Sequence, residues 1–427
     1  MSLIRELNEL VDAAVINQET ADKINLYYKN KSSTSASRLF IVFAILGALL
    51  TGLGIILIIA HNWDEFSRVT KTAFAFMPLV TGQLLCAFVL IKKQSSIAWR
   101  ESSSTFLVFA VGAVISLVSQ IYHIPGNLSS FLLTWTILCF PLIYLMNSSI
   151  TSLLVIVGIT WYACYTSYFS YPLGVSYPYW LLLAGTLPHY YQLYKAKPHS
   201  NFIIFHHWII PLSVIIVLGT LGKVNGEFMY IAYISLFGLF YMTGDLDFFA
   251  HQKPINNAYK LTGTLGTIIL LLILSFDGFW ENLRSKGFQL DQAIASPEFM
   301  ASFIISLMAS ALFYFQQKNK LFDQIKPISF VFILFIISFV LGLYLPISVV
   351  LINLCVFTIG ILTMREGSKI DHLGILNLGL LIIAALVICR FFDKDLSFIL
   401  RGMMFLVVGI GFFATNYMML KKRNKNE

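Results

Sequence analysis

The chain runs as about fourteen apolar stretches, from Leu39–Ala60 at the front through Tyr259–Phe279 to Leu396–Leu420 at the back, each near the roughly 20 helical residues that span a hydrocarbon layer. Short polar connections separate them. Few folds accommodate such a pattern. The apolar runs are continuous rather than alternating, so they suit helices, which satisfy their own backbone hydrogen bonds in lipid, and not the strands of a barrel. Of the 427 residues, 58% are apolar and only 12% charged, more apolar surface than a soluble core can hide. The expected class is all-α: a polytopic integral membrane helical bundle.

The cations orient it. With the N-terminus inside, the inner connections hold about 21 of the Lys/Arg residues and the outer ones about 8. A missed span would swap every later loop, yet the bias persists to the Lys421-Lys422-Arg423 tail, so both termini are expected in the cytoplasm. The net charge of +8 is explained by this topology and by the anionic inner leaflet, without nucleic acid as a partner. The bilayer itself is the expected partner. Cys86, Cys139, Cys164, Cys355 and Cys389 show no paired spacing of a metal or redox site, and no metal is expected. No phosphate-binding glycine loop or nucleophile elbow is present, and the sequence names no cofactor.

Three regions follow from this reading. Residues 1–38 are too polar at the front for a cleavable signal. Leu3, Leu7, Leu10 and Val11, then Ala21, Ile24 and Tyr28, recur at helical spacing. They predict a cytoplasmic amphipathic helical pair, broken at Val15-Ile16-Asn17, that lies on the membrane or docks a cytosolic partner. Lys31 to Ser37 reads as a flexible linker. Residues 39–420 form the transmembrane bundle and 421–427 a basic cytoplasmic tail.

Polar residues within the stretches are few. Gly112, Ser116, Ser119, Gln120 and His123 share one helix face, ending at Pro125-Gly126-Asn127 on the outer side. That face either glues helices together or lines a cavity in which Gln120 bonds a ligand and His123 exchanges a proton. The first outer loop, His61-Asn62-Trp63-Asp64-Glu65 with Arg68 beyond, offers paired acids and an interface tryptophan; a solvated turn is the plainer reading. Arg401, just inside the last span, must snorkel outward or meet an acid such as Asp64, Asp277 or Glu281. The candidate ligand-binding set is therefore His61, Asn62, Trp63, Asp64, Glu65, Arg68, Gln120, His123, Asn127 and Arg401. No catalytic residue is assigned.

Ala60-His61-Asn62-Trp63-Asp64, then Ser119-Gln120-Ile121-Tyr122-His123-Ile124-Pro125-Gly126, then Trp135 with Pro141-Leu142, resemble the bacterial membrane-protein family known as domain of unknown function 2157. The resemblance covers about the first 150 residues. It implies a bacterial cytoplasmic (inner) membrane protein of many helices and brings no substrate, cofactor or catalytic residue. Three functions fit: transport or flipping of a small polar or lipid-linked molecule through an outer-leaflet polar pocket, a membrane-embedded transferase or hydrolase at that leaflet, or a non-catalytic scaffold or sensor.

Overall fold

The computed structural model describes residues 15–61, 66–169, 176–223, 225–250, 252–285, 294–318 and 326–391, with isolated positions elsewhere. Among the described residues there is no strand, and the chain divides into two compact units, Met1–Ile203 and Ile204–Glu427.

The first unit contains α1 (Gln18–His61), α2 (Arg68–Lys92), α3 (Ile97–Ile121), α4 (Leu128–Leu145), α5 (Ser149–Cys164) and α6 (Tyr177–Ala196). Helix starts are set by hydroxyl and amide caps that take up otherwise unpaired N–H groups. Ser67 accepts from Thr70 N, and Ser148 from Thr151 N. Asn127 and Ser130 form a reciprocal capping box on α4. Two helix ends turn through a residue in the left-handed region, His123 at φ 51° and Asn147 at φ 45°. In each, the next amide reaches back over the end: Ile124 N to Ser119 O at 2.9 Å, and Ser148 N to Ile143 O at 3.1 Å. Proline lies inside α2, α4 and α6, as Pro78, Pro141 and Pro188.

One expectation is corrected here. α1 runs unbroken for 44 residues, through the segment read as a linker. Ser, Thr and Ala are tolerated in a helix, and no glycine or proline interrupts the chain between Gln18 and Gly47. At 1.5 Å per residue α1 is about 66 Å long, roughly twice a hydrocarbon layer.

The second unit holds α7 (Asn201–Leu218), which begins just before the division, α8 (Phe228–Gly244), α9 (Ala258–Ile273), α10 (Asp277–Ser285), α11 (Pro297–Gln317), α12 (Pro327–Gly342), α13 (Ser348–Lys369) and α14 (Leu373–Phe391). Its core is aromatic: Trp280, Phe332, Phe335 and Phe339 are almost wholly buried. Glycines let backbones meet. A methyl on Gly263 would lie 2.6 Å from the Phe237 carbonyl oxygen of α8, so α8 and α9 cross at a point where only glycine fits.

Outward-facing surfaces of both units are covered with large apolar side chains, among them Phe43, Leu57, Leu84, Leu181, Phe303 and Val350. Water does not tolerate so continuous an apolar exterior; lipid does. Among the described residues, eight helices are long and apolar enough to cross a membrane, or nine when α9 and α10 count as one span.

Candidate functional site

Much of the first unit's buried polarity lies at one end of the bundle. Glu101, in the second turn of α3, is 2% exposed. Its carboxylate accepts from Ser149 N (2.9 Å), Ile150 N (2.9 Å) and the Ser148 hydroxyl (2.6 Å). A side chain of α3 thus caps α5, where the free N–H groups and the helix dipole favour a negative charge. Ser104 donates to Ser148 at 2.8 Å, and Ser149 Oγ lies 3.5 Å from Nε2 of the buried His189 on α6. Beside this knot is a cavity of about 100 Å³, lined in part by Arg100, Glu101, Asn147, Ser149, Gln192 and Lys197.

The second unit breaks a helix. The ninth expected span, Tyr259–Phe279, is not continuous: α9 stops at Ile273, α10 starts at Asp277, and the two are bent by 70°. The freed carbonyls are met by side chains. Trp280 Nε1 donates to Leu274 O at 2.8 Å, and Asn353 Nδ2 of α13 donates to Ser275 O at 3.0 Å and to Val349 O at 2.7 Å. Both acceptors are carbonyls, so the amide nitrogen must face them. This leaves the buried Asn353 Oδ1 turned away, without a donor among the described residues. Arg390 of α14 donates to Ser275 Oγ at 3.0 Å and stacks 4.6 Å above the Phe276 ring. Asp277 pairs with Arg284 at 3.2 Å.

A third cluster ties the opposite end of the same unit. Asp245, just past α8, accepts from Lys260 at 2.8 Å and, through both oxygens, from Lys326 at 2.8 Å. Burial pushes its carboxyl up, but the two ammonium groups outweigh this and hold it below the usual carboxylate range.

The residues singled out by sequence fare variously. Gln120 and His123 are exposed at the far end of α3, about 28 Å along the helix from Glu101. Gly112 of the same stripe is buried, its α-carbon facing the Trp135 ring. Asn127 is engaged as a cap, and Arg68 is exposed in the first turn of α2. Tyr122 OH and Thr72 Oγ1, 3.1 Å apart, join the start of α2 to the turn holding His123. Asn62, Trp63, Asp64, Glu65 and Arg401 lie outside the described residues, as does the side chain of His61. Sequence reading passed over Glu101 and Ser148, whose meeting joins positions far apart in the chain. It also passed over the break, for which Asp277-Gly278 was an available turn signal.

Among the described residues no cluster of His, Cys, Asp or Glu could hold a metal ion. Apolar helices of membrane-spanning length and a lipid-compatible exterior define a multi-pass membrane protein. Residues 8–152 match the model of a family described as predicted membrane protein (DUF2157), the family expected from the resemblance. No curated protein and no solved structure matches the chain.

Proposed function

We propose that the protein is a transporter or flippase of the bacterial cytoplasmic membrane, with about fourteen crossings and both termini in the cytosol, moving a small polar or lipid-linked molecule. The observation that supports this reading is the broken helix between α9 and α10. Non-helical backbone at membrane depth is tolerated where protein covers it or where it lines a cavity, and paired half-helices recur at the substrate sites of transporters. Here the break carries a cation, Arg390, and a buried acceptor, Asn353 Oδ1, without a donor among the described residues. In this reading Arg390 holds an anionic group of the cargo and Asn353 accepts from one of its donors. Gln120, His123 and the His61–Arg68 loop attend the outer side of the first unit, with Asp64 or Glu65 binding a coupling cation and Arg401 facing the same leaflet.

The test is reconstitution into proteoliposomes, with flipping of fluorescent short-chain phosphatidylglycerol and uptake of labelled small carboxylates as readouts. Wild-type protein is expected to accelerate one of them. Arg390→Gln should reduce that rate about tenfold or more, as loss of a charge-assisted bond implies. Absence of both activities in wild type, or an unchanged rate in Arg390→Gln, contradicts the proposal.

A further inference from the structure

The cavity in the first unit has chemistry that the Glu101 knot does not use. Glu101 also lines the cavity, but its carboxylate already accepts three hydrogen bonds at the start of α5. Arg100 is half-buried in the same wall, and its Nε–H is buried with no acceptor in reach among the described residues. A guanidinium carries five donors in a rigid fork and no acceptor, so a buried N–H on it calls for a carboxylate or phosphate oxygen. Across the cavity stand Lys197, the second cation, and the amides of Asn147 and Gln192. A cavity of about 100 Å³ has room for a tetrahedral oxyanion.

The position adds a second argument. This is the end of the first unit at which Lys92, Lys93, Lys195 and Lys197 also lie, flanking the ends of α2 and α6. Cations beside a membrane surface attract anionic headgroups.

We infer that this cavity binds a phosphate group, held by the Arg100 guanidinium and the Lys197 ammonium with Asn147 and Gln192 as further donors. The site is separate from the α9–α10 break and does not depend on the transport reading. Because Arg100 of α3, Asn147 before α5 and Gln192 of α6 all line the cavity, occupancy would join these three helices at this end.

The test uses the full chain in neutral detergent, with native mass spectrometry and thermal unfolding as readouts and dihexanoyl phosphatidylglycerol and inorganic phosphate as probes. Wild type is expected to bind at least one probe and to unfold at a higher temperature with it. Arg100→Gln should weaken binding about tenfold or more. Lys197→Gln, at an exposed position, should weaken it in the same direction, and the exposed Lys253→Gln in the second unit should not. Competition by inorganic phosphate identifies the phosphate itself as the ligand, whereas binding of the lipid alone identifies a headgroup site; either supports the inference. No binding of either probe to wild type overturns it, as does equal affinity in wild type, Arg100→Gln and Lys197→Gln.

Discussion

Glu101 joins two helices through three hydrogen bonds to a single carboxylate, so its removal leaves two amide N–H groups and a hydroxyl without an acceptor in a buried place. Glu101→Ala is expected to cost about 3 kcal/mol, and Glu101→Gln, which keeps one accepting oxygen, clearly less. Thermal unfolding in detergent checks this; an alanine variant as stable as wild type would show that water replaces the carboxylate freely. Asp245 predicts a pH effect. Its carboxyl is held below the ordinary value near 3.9 by Lys260 and Lys326. The native state therefore keeps this charge to lower pH than the unfolded chain, and the stabilisation is complete at neutral pH. It declines as pH falls from about 4 through the folded value. Unfolding measured across that window should lose this step in Asp245→Asn. His123 separates two roles by one substitution. If it serves only as the left-handed residue ending α3, His123→Gly should be neutral or stabilise by up to about 1 kcal/mol. If it also contacts cargo, the same variant should fold well and transport poorly.

At the scale of elements, the apolar stretches were legible because lipid imposes one solution, a helix of about 20 residues with an apolar surface. The ends were less so. α1 continues through a serine-rich segment because serine weakens a helix without breaking it, whereas the stretch at Ser275 breaks although it is apolar on average. The break depends on partners from elsewhere, Asn353 and Arg390, to receive its loose backbone and hydroxyl groups, and such partners leave no local mark. Helix crossings make the sharpest prediction at this scale. Gly263→Ala should destabilise by about 1–3 kcal/mol because a methyl would strike the α8 backbone. Gly47→Ala, with nothing within 4 Å, should be neutral or stabilise α1 by up to about 1 kcal/mol. Equal effects in the two variants would mean that α8 and α9 do not cross so closely.

At the scale of the whole molecule, class was readable from composition and cation placement, but the place of the buried polar groups was not. Sequence drew attention to Gln120 and His123 because they follow one another along a helix face. The structure instead forms buried or part-buried polar contacts around Glu101, Asp245 and Ser275, each joining residues at least 15 positions apart. Charge pairing across such distances is a property of the fold, and one chain read in order does not display it. The proposed function rests above all on the expected alternation of crossings, which would put both chain ends on the cytosolic side. Its direct test is labelling of intact cells with a membrane-impermeant maleimide, using protein whose five cysteines are replaced and which carries one new thiol from Ser2→Cys or Asn426→Cys. Both thiols are expected to stay unlabelled until the membrane is permeabilised; labelling of either in intact cells would contradict the topology.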